Sequence, residues 1–377
     1  MSAAKLAILT NMVAPYRVPF FRELANNSRV QDLVIYTCTH RERDRQWHVE
    51  NDPAYRVHRL GGITLNLNKG TDGQRILHFR FGIFWQLLRN RPDRLVIGDA
   101  SWTTFLAVLA CLLLRIKYVV WNEITTSSKV SEGLVAKLRR WTYRNAERCI
   151  ASGILAKDFL INNGVAENRV GIVQNAVDND FFLAQKKKLE PQRAAIREEL
   201  GIAPDAYCFI FVGQLISRKR ILETINLLNQ IRKKINIHFL VVGAGPLEDQ
   251  AKRQADALGF EAINFLGNCS PEITSRYYVA ADALILLSED EPWGMVVNEA
   301  LIFGNYCYCS DSVGAAAELT RTTGTDLLAT ISENPCEILS TRRTIANNAF
   351  SQVPSSPNRM ATDFLQQLNY PAIDSYE

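Results

Sequence analysis

Short runs rich in aliphatic and β-branched residues punctuate the first half of the chain: KLAILT (5–10), LVIYT (33–37), RLVIGD (94–99), KYVVWNE (117–123), RCIAS (148–152) and VGIVQNAV (170–177). Their length and composition predict buried strands. Helix-length segments separate several of them, notably PFFRELAN (19–26), WTTFLAVLACLLLR (102–115) and ILAKDFLINNG (154–164). AQKKKLEPQRAAIREEL (184–200) is polar, charged and carries one proline, which suits a linker or an exposed helix. The rhythm then restarts with strands CFIFVG (208–213), IHFLVVGAG (237–245), INFLG (263–267), ALILLS (283–288) and NYCYCS (305–310). Helices are predicted near 220–233 and 247–258 and over MVVNEALIFG (295–304).

Alternation of this kind predicts an α/β chain whose parallel sheets are covered by helices. Two Rossmann-like domains in tandem are expected, residues 1–185 and 186–357, facing each other across a cleft. Each would bind ligands at the carboxyl ends of its strands. A C-terminal helix and tail follow over 358–377, centred on NRMATDFLQQL (358–368), with room to cross back to the N-terminal domain.

A length of 377 residues agrees with two domains. Hydrophobic content of 47% and charged content of 22% exclude a disordered chain. MSAAKLAILTNMVAPYR has no basic stretch leading into an apolar core and cleavage site, so a cytoplasmic location is expected. The eight cysteines lack paired spacing and read as buried thiols rather than disulfides or zinc ligands. FLAVLACLLL (105–114) stops at Arg115, well short of the ~20 residues of a membrane span, and reads as a buried helix.

Net charge is +4, but residues 1–190 hold 28 Lys and Arg against 17 Asp and Glu, and the remainder is acidic. A basic first half suits anionic lipid headgroups or a lipid-phosphate substrate, and motivates peripheral contact with the inner face of a membrane. RERDRQWH (41–48) and LRRWTYRNAER (138–148) interleave basic and aromatic residues. Without a recognisable nucleic-acid module they read as solvated or lipid-facing surface, and no nucleic-acid partner is expected.

Two segments carry chemistry. In FVGQLISRKR (211–220), Gly213 permits a tight turn after a strand, and Arg218, Lys219 and Arg220 bring positive charge to a helix start, which suits a diphosphate. In EPWGMVVNE (291–299), a helix beginning near Gly294 would direct the amides of Gly294, Met295 and Val296 toward phosphate or sugar oxygens. Glu291 stands beside the same opening. Glu299 lies in an otherwise apolar helix, so its carboxylate needs a partner, and a ribose diol would supply one. Gly243 and Gly245 in LVVGAGPLEDQ (240–250) lack the third glycine of a dinucleotide fingerprint and read as a structural turn. DND (178–180) imitates a metal-binding DxD triplet.

The E-x7-E pattern of Glu291 and Glu299, and the GxLxxxK pattern of Gly213, Leu215 and Lys219, resemble glycosyltransferase family 4. QNAVDNDFF (174–182) is similar to that family's NGVDxxxF, VGAGP (242–246) to its GxGP turn, and FGNYCYCSDSVGAAAEL (303–319) to its GxPVVAS…GG…E segment. The resemblance implies the GT-B architecture and retaining, metal-independent transfer from a nucleotide sugar, with no cofactor. It assigns Lys219 to the donor diphosphate, Glu291 and the amides of the Gly294–Val296 segment to the transferred sugar, and Glu299 to the ribose, and it counts Gly213, Gln214, Arg218 and Trp293 among the donor-binding residues. Lys219 and Glu291 would be the catalytic pair. DND falls inside the NGVD-like segment, so no metal is expected there.

Three departures stand out. Gln214 occupies a position where the family usually has arginine, leaving Arg218 or Arg220 to replace that charge. Where many members place a histidine near the sugar, YVVWNEITTSS (118–128) offers Asn122 or Glu123. TNMVAPYRVPFF (10–21) replaces a glycine-rich loop and puts Tyr16 and Arg17 at the end of the first strand, facing either the acceptor or solvent. The expected function is transfer of a sugar to a hydroxyl of a glycan or lipid-linked glycan, as in bacterial surface polysaccharide or lipopolysaccharide assembly. The rival is a nucleotide-sugar-binding regulator or partner subunit without turnover.

Overall fold

The computed structural model describes residues 3–39, 52–68, 74–98, 102–130, 133–323, 328–330 and 354–369; the basic segment 41–48 lies outside them. Two compact units divide the chain. The first comprises Met1–Val177 with Ser355–Glu377, the second Asp178–Pro354.

In the first unit the elements run β1 (Ala4–Thr10), α1 (Val18–Asn26), β2 (Val30–Thr37), β3 (Arg56–Arg59), β4 (Ile63–Asn68), β5 (Gln74–Phe79), α2 (Gly82–Asn90), β6 (Arg94–Ile97) and α3 (Trp102–Leu114). They continue with β7 (Lys117–Asn122), α4 (Leu134–Asn145), β8 (Arg148–Ala151), α5 (Ile154–Asn162) and β9 (Val170–Ile172). Seven strands form one parallel sheet in the order β3-β2-β1-β6-β7-β8-β9, while β4 and β5 pair as a separate antiparallel hairpin. Strand alternation sorts the core. Ala7 and Leu9 of β1 join Tyr118 and Val120 of β7 beneath α2, α3, α4 and α5, whereas Leu6, Ile8, Val119 and Trp121 face α1 on the opposite side.

The second unit opens with α6 (Asn179–Leu189) and α7 (Arg193–Glu199), where the sequence suggested a linker or exposed helix. These charged helices are integral to the unit. Leu189 and Ile196 are buried, and Arg193 and Arg197 reach Asp282 at 2.7 and 3.3 Å. Arg197 also donates to the carbonyls of Ala280, Ala203 and Ala206, so its burial is matched by hydrogen bonds. Then follow β10 (Tyr207–Val212), α8 (Ile221–Ile231), β11 (Ile237–Val242), α9 (Glu248–Ala257), β12 (Ile263–Gly267), α10 (Pro271–Ala280), β13 (Ala283–Leu286), α11 (Met295–Phe303), β14 (Tyr306–Cys309), α12 (Gly314–Thr323) and β15 (Leu328–Thr330). Their parallel sheet has the order β12-β11-β10-β13-β14-β15.

The final helix, α13 (Pro357–Asn369), belongs to the first unit and packs beside α1. Phe364 meets Phe20 and Trp121 edge-on, at ring-centre separations of 5.3 and 5.1 Å. Arg148 donates to Gln367 at 3.0 Å. The seven described cysteines are free, and six are buried. Among the described residues, no helix is long and apolar enough to cross a membrane. The sequence read α3 as buried; it hides one side and exposes Leu109, Leu112 and Leu113 on the other.

Candidate active site

Strand order locates the sites. In the second sheet the winding reverses between β10 and β13, so the segments leaving these adjacent strands diverge and open a crevice at their carboxyl ends. Gly213–Lys219 follows β10, and Ser288–Gly294 follows β13. The two motifs that stand far apart in sequence therefore meet.

Lys219 is buried, and its ammonium pairs with the Glu291 carboxylate. Arg218 lies 3.9 Å from the same carboxylate and donates to the Asp290 carbonyl at 2.7 Å. Ser288 Oγ approaches Glu291 at 3.4 Å. Gln214 is half-buried in the turn after Gly213. Gly243 and Gly245 have a structural role: a Cβ on Gly243 would stand 1.9 Å from the Gly213 carbonyl oxygen, and one on Gly245 2.5 Å from that of Leu215. Only glycines let the turn after β11 brace the Gly213 loop this closely.

Gly294 caps α11 in the left-handed region, with φ at 93°. A Cβ there would meet Glu291 Cγ and Val313 Cγ1 at 3.2 Å. The glycine thus brings the helix start directly against Glu291, and the first amides of α11, including those of half-exposed Met295 and Val296, have no acceptor within the helix. Partial positive charge collects there, beside Lys219 and Arg218. Trp293, expected among the donor-binding residues, turns inward instead. It is 3% exposed and its indole N–H donates to Asn298 at 3.0 Å, so it anchors the loop from within the core.

Glu299 sits in α11 and accepts a hydrogen bond from the Tyr278 hydroxyl at 2.9 Å. Burial pushes its carboxyl up to about 7, against the opposing pull of that hydrogen bond. Tyr278, fully buried on α10, is the partner the apolar surroundings of Glu299 demanded. Nothing in the sequence distinguishes it from neighbouring Tyr277, because only packing brings α10 under α11.

In the first sheet the reversal falls between β1 and β6. Arg17, in the turn that follows β1, forms an ion pair with Glu123 at 2.8 Å, and its guanidinium lies 3.8 Å from the Trp121 ring centre. Burial alone would lower the Arg17 pKa, but Glu123 and Tyr16 more than offset it and hold the group charged. Asn175, beyond β9, donates to the other Glu123 oxygen at 2.5 Å. Tyr16 is half-buried alongside, its ring centre 5.8 Å from the guanidinium. Arg17 is therefore an organised part of this strand end and not a free surface charge. Asn122 is 3% exposed; its amide donates to the Ile124 and Ala156 carbonyls and accepts from the Tyr143 hydroxyl. That leaves Glu123, whose side chain keeps 30% exposure, as the member of the pair able to meet a ligand.

Asp178 of the DND triplet caps α6, its Oδ1 accepting the Phe181 amide at 3.0 Å. Among the described residues no three His, Cys, Asp or Glu side chains cluster as a metal site would require.

Two family models match the chain: Glycosyltransferase Family 4 over residues 21–181, and Glycosyl transferases group 1 over residues 192–339. An uncharacterized glycosyltransferase of Methanocaldococcus jannaschii is 25% identical over 184 residues, 48% of this chain and 46% of that protein. A lipopolysaccharide 1,2-N-acetylglucosaminetransferase of Salmonella typhimurium is 29% identical over 159 residues, 39% of this chain and 41% of that protein. Each match spans less than half of the relative's length. The crystal structure of Anabaena Alr3699/HepE in complex with UDP superposes with a TM-score of 0.64 at 14% identity, covering 96% of this chain and 95% of that one. The two models adjoin and between them span most of the chain, one on each Rossmann-like unit, and the chain belongs to the GT-B glycosyltransferases of family 4.

Proposed function

We propose that the chain is a retaining glycosyltransferase that moves a sugar from a nucleotide donor, bound by residues 213–299, to a hydroxyl of a glycan or lipid-linked glycan held by residues 1–180. The observation that carries this reading is the Lys219–Glu291 pair beneath the glycine-capped start of α11. A donor diphosphate would bring two phosphates to a place already furnished with Lys219, Arg218 and helix amides. Those groups would offset the charge that develops on the leaving diphosphate without a metal ion. Release of Lys219 toward phosphate would free the Glu291 carboxylate to orient hydroxyls of the transferred sugar. The ribose diol would replace Tyr278 as partner of Glu299.

With the donor so held, the acceptor hydroxyl attacks from the face the diphosphate leaves, and a departing phosphate oxygen takes its proton, so the anomeric configuration is kept. Arg17 and Glu123 would hold the acceptor. Peripheral action at the inner face of a membrane, in bacterial surface polysaccharide assembly, fits the basic first half.

The test is a panel of UDP-, GDP- and ADP-sugars with and without crude membrane glycolipid, read as free nucleotide released and as the anomeric form of the product. Turnover of one donor, stimulated by extract and depressed at least about a hundredfold in Lys219→Ala, is expected. Tight donor binding with no turnover under any condition would replace this reading by that of a nucleotide-sugar-binding regulator or partner subunit, the alternative that Gln214 favours.

A further inference from the structure

α2 and α3 pack against each other and against the same face of the first sheet, so the sides they turn away from the sheet form one surface. On a solvated helix those sides are polar. Here they are not. Phe81, which caps α2, and Trp85 and Leu88 within it follow one another at spacings of four and three and are exposed, Trp85 at 68%. On α3, Leu109 and, three and four residues beyond it, Leu112 and Leu113 are exposed too, Leu113 at 74%. Ile63 and Leu65 of the β4–β5 hairpin, whose β5 packs on α3, are exposed as well. Most of the large exposed apolar side chains among the described residues belong to this one side of one unit. Such concentration marks an interaction surface rather than scattered exposure.

Charge identifies the partner. α2, α3 and the neighbouring α4 contain no aspartate or glutamate. Arg89 and Arg91 stand exposed at the end of α2, Arg115 at the end of α3, and Lys137 and Arg140 along α4. Beside α4 a hollow of about 590 Å³ is lined in part by Lys129, Arg139 and Arg140. An apolar strip bordered by cations is complementary to a surface with an apolar interior and anionic headgroups. A second copy applying the same face would meet like charge. α3, at thirteen residues, is too short to cross a bilayer, so it would lie on one.

We propose that the α2–α3 face, with the basic margin of α4, seats the first unit on an anionic membrane surface, Trp85, Leu112 and Leu113 entering the headgroup region. The proposal deepens the reading of a lipid-linked acceptor and rests on it only for the acceptor's identity.

Flotation of the full chain with phosphatidylcholine vesicles, with or without roughly one-third phosphatidylglycerol, at about 50 mM and about 300 mM salt, tests it. Wild type is expected to float with the anionic vesicles and to be weakened by salt. Trp85→Ser with Leu113→Ser, and separately Arg89→Gln with Arg115→Gln, should each reduce partitioning roughly tenfold or more. Thermal unfolding and nucleotide-sugar binding should stay unchanged, which separates lost docking from lost folding. No flotation of wild type at low salt would overturn the proposal, as would variants that float like wild type. So would a concentration-dependent dimer that the same substitutions abolish, which would make the face a self-interface. If every donor fails to turn over while flotation and its variant pattern persist, the functional reading falls and the membrane face stands.

Discussion

A carboxyl poised near neutrality inside an apolar helix gives Glu299 a pH dependence that can be read directly. Its pKa is raised by burial to about 7, above its ordinary value of 4.5. The protonated form therefore stabilises the folded state, and that contribution is fully present below about 4.5 and lost as pH rises through about 7. Glu299→Gln, a permanently neutral analogue, should leave the melting temperature near wild type at about pH 4 and raise it by a few degrees at pH 8. Donor binding should run the other way. On the reading proposed above, in which the Glu299 carboxylate accepts from two ribose hydroxyls, wild-type affinity should rise between pH 6 and 8 while the glutamine variant stays flat; calorimetry over that range checks both signs. Gly294→Ala forces a Cβ into the left-handed region against Glu291 and Val313, and should cost about 1–3 kcal/mol and weaken donor binding. A variant with wild-type melting and affinity would remove the special role of that turn.

At this scale the motifs of the second unit were legible because chemistry constrains them locally: a glycine, a lysine and two glutamates at fixed spacing. Trp293 was misread because adjacency in sequence to a site does not say which way a side chain points, and the loop turns its indole into the core. Tyr278, and the choice of Glu123 over Asn122, depend on contacts between distant segments that no local pattern announces.

At the scale of elements, the core strands were legible as apolar runs since parallel strands are buried on both faces. β3 (RVHR), at the sheet edge, is mostly exposed and carries no such signal. α6 and α7 imitate a linker because their lysines and arginines hide a narrow buried stripe, which Arg193 and Arg197 then fasten to Asp282. The consequence is measurable. Asp282→Ala leaves the buried Arg197 without its carboxylate and should destabilise the second unit by about 3 kcal/mol. Asp282→Ala with Arg197→Met should recover part of that loss, since the unpaired charge is gone; denaturant unfolding of the single and double variants decides. An undiminished loss in the double variant would show that Asp282 acts through its bond to the Cys208 amide instead.

The two units differ in how the chain builds them. Residues 178–354 are one continuous stretch, whereas the first unit closes only when the last helix, α13, returns to it. Phe364, Met360, Leu365 and Leu368 of that helix fill the core against Phe20 and Trp121. Without them α1 and the underside of the sheet would expose their apolar faces to water. The first unit therefore cannot finish folding until α13 has been made, while the second can fold earlier. Phe364→Ala should cost about 3–5 kcal/mol, confined to the first unit. Hydrogen exchange should accelerate in α1 and α13 and remain at wild-type rates in β10, β11 and β13. Nucleotide-sugar affinity should hold within about threefold, because the residues proposed to bind the donor, Lys219, Glu291, Glu299 and the start of α11, all lie in the intact second unit. Faster exchange throughout both units would mean that they unfold as one cooperative body. Lost affinity with β10 and β13 still protected would mean that the first unit contributes directly to holding the donor.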